Sequence, residues 1–151
     1  MSRAGRQAID EFLSLKRIAF VGVSRNPRDF SRTLFTELLR RGYDLVPVHP
    51  KAAEIEGRPC YAAVSDINPP VEAALVLTPS ALAEPVVRDC AAAGVSHVWL
   101  HRGVGTGAVS PQAVDFCRTH GIQVVAGECP FMFLPGSGWF HRVHRFFRHL
   151  A

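Results

Sequence analysis

The sequence predicts an α/β domain with a doubly wound, mostly parallel sheet of five or six strands, flanked by an N-terminal and a C-terminal helix. Three observations carry this. Short apolar runs recur at residues 18–23, 45–48, 71–77, 97–100 and 122–125. They are apolar on both faces, as strands covered by helices on both sides must be. Stretches with apolar residues at helical spacing alternate with them, and glycine, proline or serine marks most junctions.

Each element has its own signal. Ile9, Phe12 and Leu13 form the apolar stripe of a first helix. After the strand at 18–23, a helix from about Ser31 to Arg41 turns Leu34, Phe35, Leu38 and Leu39 inward, with Ser31 as its N-cap and Gly42 as its stop. Tyr43 and Asp44 open the second strand. The segment 50–70 is rich in loop, with room for a short strand near 58–61 and one helical turn near 62–66. The strand at 71–77 breaks at Thr78-Pro79, and Ser80 caps a helix that runs through Ala93 to Gly94. A glycine-rich loop, 102–108, leads from the next strand to a helix over 111–119, and Gly121 ends it before the last strand. The strand-end loops 22–31, 49–51, 78–80 and 101–107 then all open on one edge of the sheet, where ligands bind in such folds.

At 151 residues and 48% hydrophobic, the chain suits one domain over 1–151, with a core over about 15–130. Seventeen basic residues against thirteen acidic give a net charge of +4, and fifteen of the seventeen are arginine, which suits bidentate anion contacts. Zinc-finger spacing and an aromatic-rich basic strand are absent, so no nucleic acid is expected. Cys60, Cys90, Cys117 and Cys129 lie far apart, the start lacks an apolar secretory core, and no apolar run approaches the roughly 20 residues of a membrane span. A soluble cytoplasmic protein with free thiols is the expectation.

The stretch from Arg17 to Pro27, RIAFVGVSRNP, is the most informative. A buried strand breaks there at Gly22 into a small, polar, cationic loop before a helix, whose first amides carry positive potential. Gly22 is expected to let a phosphate approach with no Cβ in the way. Of the dinucleotide pattern G-x-G-x-x-G only the first glycine is present, with Ser24 and Pro27 at the other two places. The second strand ends in His49-Pro50-Lys51, with no carboxylate for a ribose diol. Lys51 stands there instead, and Arg25, Arg28 and Arg32 follow the first strand, so the ligand implied is richer in phosphate than NAD. The rival is an NAD(P)-binding oxidoreductase or regulatory domain with a degenerate fingerprint, since the 2′-phosphate of NADP would also suit Lys51 and Arg25.

Four motifs, IAFVGVSR, VPVHPK, VEAALVLTP and GVSHVWLHRG, give the chain a resemblance to the CoA-binding domain family, small stand-alone proteins similar to the CoA-binding domain of succinyl-CoA synthetase alpha subunits. The resemblance spans about residues 15–130 and implies a Rossmann-like fold with CoA or acyl-CoA as ligand. Carried over by position, it places the CoA diphosphate on the turn of Gly22, Val23 and Ser24, with Ser24 and Arg25 donating and Ser31 beside them. It places the adenosine ribose and its 3′-phosphate near His49, Pro50 and Lys51, and it makes Thr78 and Pro79 a wall of the adenine or pantetheine side. The chain departs from the family at His49, where Asn is frequent, at Thr78-Pro79-Ser80, where many members carry arginine, and at His101, where Gln is common. His101 still faces the ligand edge.

No catalytic residue is assigned. His101 suits a hydrogen bond to ligand or loop better than a general base, and Cys129 suits a buried, inert thiol better than a disulfide partner for CoA. The phosphorylated histidine of the synthetases belongs to a separate domain. The function implied is that of a non-catalytic CoA carrier, sensor or regulatory partner. Over about 137–150, apolar residues at 139, 140, 143, 146, 147 and 150 form a helical stripe against a His/Arg face. That helix suits docking on the domain or on a second subunit of a homo-oligomer, and otherwise shallow contact with anionic lipid, which would make the protein a peripheral membrane or scaffold protein. His141 and His144 lack a third ligand, so no metal is expected.

Overall fold

The computed structural model describes residues 2–103 and 105–135. Five parallel strands form the sheet: β1 (Arg17–Val21), β2 (Asp44–Val48), β5 (Ala73–Val76), β6 (His97–Leu100) and β7 (Gln123–Ala126). Their order is β2-β1-β5-β6-β7, so the chain winds outward from β1 in one direction and then, from β5, in the other. This reversal is a topological switch point at the carboxyl ends of β1 and β5. Register follows the apolar runs, with Ile18 beside Leu45 and Ala73, and Val21 beside Val48 and Val76.

Side chains alternate between two cores because successive residues of a strand point to opposite faces. Ile18, Phe20, Leu45, Leu75 and Trp99 meet the helices α1 (Arg3–Ser14) and α2 (Phe30–Arg40). Ala19, Val21, Val46, Val76 and Val98 meet α3 (Ser80–Ala92) and α4 (Pro111–Thr119). Alanine at 19, 73 and 74 is fully buried in the middle of the sheet. Phe12 of α1 stands edge-on to Trp99 at 5.4 Å, and the Trp99 indole donates to the carbonyl of Gly127 at 3.0 Å. This satisfies the only polar atom of a fully buried side chain whose apolar area contributes about 1.5–3 kcal/mol.

The expected elements are present within a residue or two, with two revisions at helix starts. Helix α2 begins at Phe30 and is capped by Asp29, whose Oδ1 accepts from the Ser31 amide at 2.9 Å and from the Ser31 hydroxyl at 2.6 Å. Ser31 therefore lies inside the first turn, where the carboxylate outbids its hydroxyl as the cap. Helix α3 starts at Ser80, and its N-cap is Pro79, which offers no side-chain acceptor. In the segment 50–70, β3 (Glu54–Ile55) and β4 (Arg58–Pro59) form a small antiparallel hairpin, and a single 3-10 turn covers Val64–Asp66. Tyr61 makes a parallel bridge to Val48 and so covers the outer edge of β2. The C-terminal helix expected over 137–150, with its oligomer and membrane roles and His141 and His144, lies outside the described residues.

Candidate functional site

Gly22 follows β1 with φ +92° and donates its amide to Val48 O at 3.3 Å. A Cβ there would lie 2.9 Å from Leu77 C and from Thr78 N. The close approach that demands glycine is thus made by the chain itself, where the β1 loop crosses the end of β5, and not by a ligand alone as the sequence suggested.

Most amides of the following loop are already used. Ser24 N donates to Ser31 Oγ at 2.9 Å, Asn26 N to Ser24 Oγ at 3.0 Å, and Arg28 N to Asn26 Oδ1 at 3.0 Å. The amides of Val23 and Arg25 have no acceptor among the described residues, whereas Ser24, expected as a donor to phosphate, has spent its amide inside the loop. The side chains of Arg25, Arg28 and Lys51 form no ion pair among the described residues. Arg32 differs from the free cation expected. Its Nη2 pairs with Glu56 at the hairpin tip, and its Nη1 donates to the carbonyls of Ser24 and Arg25 at 3.3 Å each. Arg32 is a brace between loop and hairpin.

At the end of β2, His49 Nδ1 accepts from the amides of Lys51 at 2.9 Å and Ala52 at 3.1 Å. The neutral ring therefore carries its proton on Nε2. Burial first, then the charges of Arg25 and Lys51, hold His49 below the ordinary histidine value. Arg25 of the β1 loop and Lys51 of the β2 loop thus both lie near enough to His49 to act on it. Pro50 is exposed beside them.

Between the two loops and α3 lies a cleft of about 370 Å³. Gly22 and Thr78 line one side, Pro50 and Val64 another, and Leu82 and Val86 of α3 a third. The hydroxyl oxygen of Thr78 is buried there without a hydrogen-bond partner. His101 ends β6 on the opposite face of the sheet, 7% exposed, with its ring 5.5 Å from that of Phe30. Its Nε2 is also buried without a partner. Burial pushes its pKa down to about 4, so the ring is neutral and a weak base. The loop after it closes tightly: Ala108 N donates to His101 O at 2.9 Å, and a Cβ on Gly107 would sit 2.3 Å from that oxygen.

Buried polar atoms ordinarily have partners; among the described residues three side-chain atoms lack one, Arg32 Nε, Thr78 Oγ1 and His101 Nε2. Thr78 Oγ1 and His101 Nε2, with the free amides of Val23 and Arg25 and the unpaired cations, suit an extended, phosphate-bearing ligand with neutral polar groups. Cys129 is 3% exposed and burial raises its pKa to about 12, which leaves no thiolate for chemistry. Among the described residues no group of three His, Cys, Asp or Glu side chains could hold a metal, and no helix is long and apolar enough to cross a membrane. Sequence reasoning missed Phe30, which covers His101 from the first turn of α2, and Asp29, whose position two residues before Ser31 was the available signal.

The profile of a family described as CoA binding domain matches residues 16–135. An ADP-forming acetate–CoA ligase of Archaeoglobus fulgidus is 25% identical over 120 residues, covering 76% of this chain and 18% of that protein, so the chain spans less than a fifth of that relative's length. The Bacillus subtilis protein YneT, described as uncharacterized, is 25% identical over 130 residues, covering 85% of this chain and 93% of that one. A solved structure of a hypothetical protein from Pyrococcus horikoshii is 28% identical and superposes with a TM-score of 0.76, over 83% of this chain and 86% of that one.

Proposed function

Since the chain belongs to the CoA-binding domain family and is homologous to the CoA-binding part of acetate–CoA ligases, we propose that it binds CoA or an acyl-CoA at the switch point and serves in the cytoplasm as a carrier, sensor or regulatory partner. The observation that carries this reading is the pair of buried, unpaired polar atoms at adjacent strand ends, Thr78 Oγ1 and His101 Nε2. Leaving such atoms unpaired costs about 1–3 kcal/mol each, which a ligand's hydrogen bonds would recover. In this reading the diphosphate lies on the loop of Gly22, Val23, Ser24 and Arg25, with Ser31 supporting Ser24 from behind. The 3′-phosphate lies by Lys51, His49 and Pro50, and Thr78, Pro79 and His101 flank the rest. Among the described residues, His101 is neutral and weak as a base, and Cys129 is buried as the thiol.

Lys51 separates CoA from ligands without a terminal phosphate. It is exposed, so its charge is partly screened, and Lys51→Ala should weaken CoA by about three- to tenfold. Calorimetry with CoA and dephospho-CoA on both proteins isolates the pair. Dephospho-CoA should bind the two proteins equally. Equal affinity of the wild type for CoA and dephospho-CoA would show that Lys51 reads no phosphate.

A further inference from the structure

The cleft beside Gly22 is walled almost wholly by apolar side chains, and among the described residues the only charged side chain that lines it is Asp89, in the third turn of α3. One oxygen of that carboxylate is committed. Asp89 Oδ2 accepts from the amide of Val64 at 2.7 Å and, more weakly, from that of Ser65 at 3.4 Å, which fixes the 3-10 turn as a wall of the cleft. The other oxygen, Oδ1, accepts nothing from the described residues. A second polar atom of the same cleft, Thr78 Oγ1, is buried and unpaired. An apolar cleft that also offers an uncommitted carboxylate oxygen and an unpaired hydroxyl suits an aromatic heterocycle that carries an N–H donor on its edge. Ionised carboxylate accepts and cannot donate, so it selects an amine over a bare or carbonyl-bearing edge.

We propose that Asp89 is a specificity-determining residue: its Oδ1 accepts from the 6-amino group of the ligand's adenine, while its Oδ2 holds the wall against which the base lies. This rests on the reading of the chain as a CoA-binding protein and adds what reads the base. Asparagine at this position separates the two duties of the side chain. Its carbonyl oxygen must face the Val64 and Ser65 amides, because an NH₂ group there would meet two donors. The NH₂ then faces the cleft and opposes the adenine amine. Asp89→Asn thus keeps the wall and loses only the reading of the base.

The experiment is calorimetry on the full chain and on Asp89→Asn with two probes, CoA and a CoA analogue whose purine carries hydrogen in place of the 6-amino group. A charge-assisted hydrogen bond at a half-exposed group predicts that the wild type prefers CoA by about tenfold. In Asp89→Asn the preference should fall to one or below, with the analogue bound as tightly as by the wild type. A purely structural role would weaken both probes alike and leave the ratio at its wild-type value, and that result overturns the proposal. So does a wild type that binds CoA and the analogue equally, which leaves the CoA reading standing. Failure of the wild type to bind CoA at all removes both.

Discussion

A Cβ on Gly22 has nowhere to go. It would stand 2.9 Å from two backbone atoms of the β5 loop, at a φ of +92° that side chains rarely adopt. Backbone cannot swing aside as a flexible side chain can, so Gly22→Ala should destabilise the fold by about 1–3 kcal/mol through strain alone, and Gly22→Val by more. Urea unfolding measures this; an unchanged midpoint for Gly22→Ala would show that the crossing of the two loops is looser than described. His101 makes a second test at this scale. Histidine ordinarily titrates near 6.5, and burial pushes His101 down to about 4 in the folded chain. Between these values the unfolded chain binds a proton that the folded chain refuses. The contribution of neutral His101 is therefore complete above about pH 6.5 and is lost as the pH falls toward 4. Relative to His101→Gln, the wild type should lose on the order of 3 kcal/mol between pH 7 and pH 4. Parallel stability profiles for the two proteins would contradict the burial of a neutral ring.

At the scale of elements, the hairpin β3–β4 braces the β1 loop through the side chain of Glu56. Its tip, Glu56-Gly57, has φ values of 49° and 75°, the paired positive values of a tight two-residue turn. From that tip the Glu56 carboxylate takes Arg32, which in turn holds two carbonyls of the β1 loop. Glu56→Gln should loosen both ends of this brace. An ion pair that is partly exposed is worth about 0.5–1 kcal/mol, so amide exchange in residues 54–59 and 24–29 should quicken about two- to fivefold while β1 is unchanged. Faster exchange in the hairpin alone would show that Arg32 holds the loop without Glu56. The strands and helices were legible in the sequence because their signals are local: apolar runs, helical spacing, and the stops at Gly42, Gly94 and Gly121. The caps of α2 and α3 were not. The hydroxyl of Ser31 is used by the amide of Ser24, seven residues earlier, and only the folded loop shows that demand.

For the whole molecule, the order β2-β1-β5-β6-β7 brings loops from distant parts of the chain to one edge. The parallel pattern made that convergence of loops legible in the sequence. Sequence reasoning misjudged Arg32, whose partner lies 24 residues away in a hairpin that no periodicity announces, and it passed over Asp89, which sits in a helix with no local signal of its role. Polar atoms that lack partners are likewise invisible before folding, because every side chain has water as a partner in the extended chain. Native mass spectrometry of the full chain, offered CoA, NAD and NADP together in equal amounts, reads which ligand this edge receives. A one-to-one complex with the mass of CoA is the predicted result, and a nicotinamide cofactor bound in its place, or no complex with CoA, would contradict it.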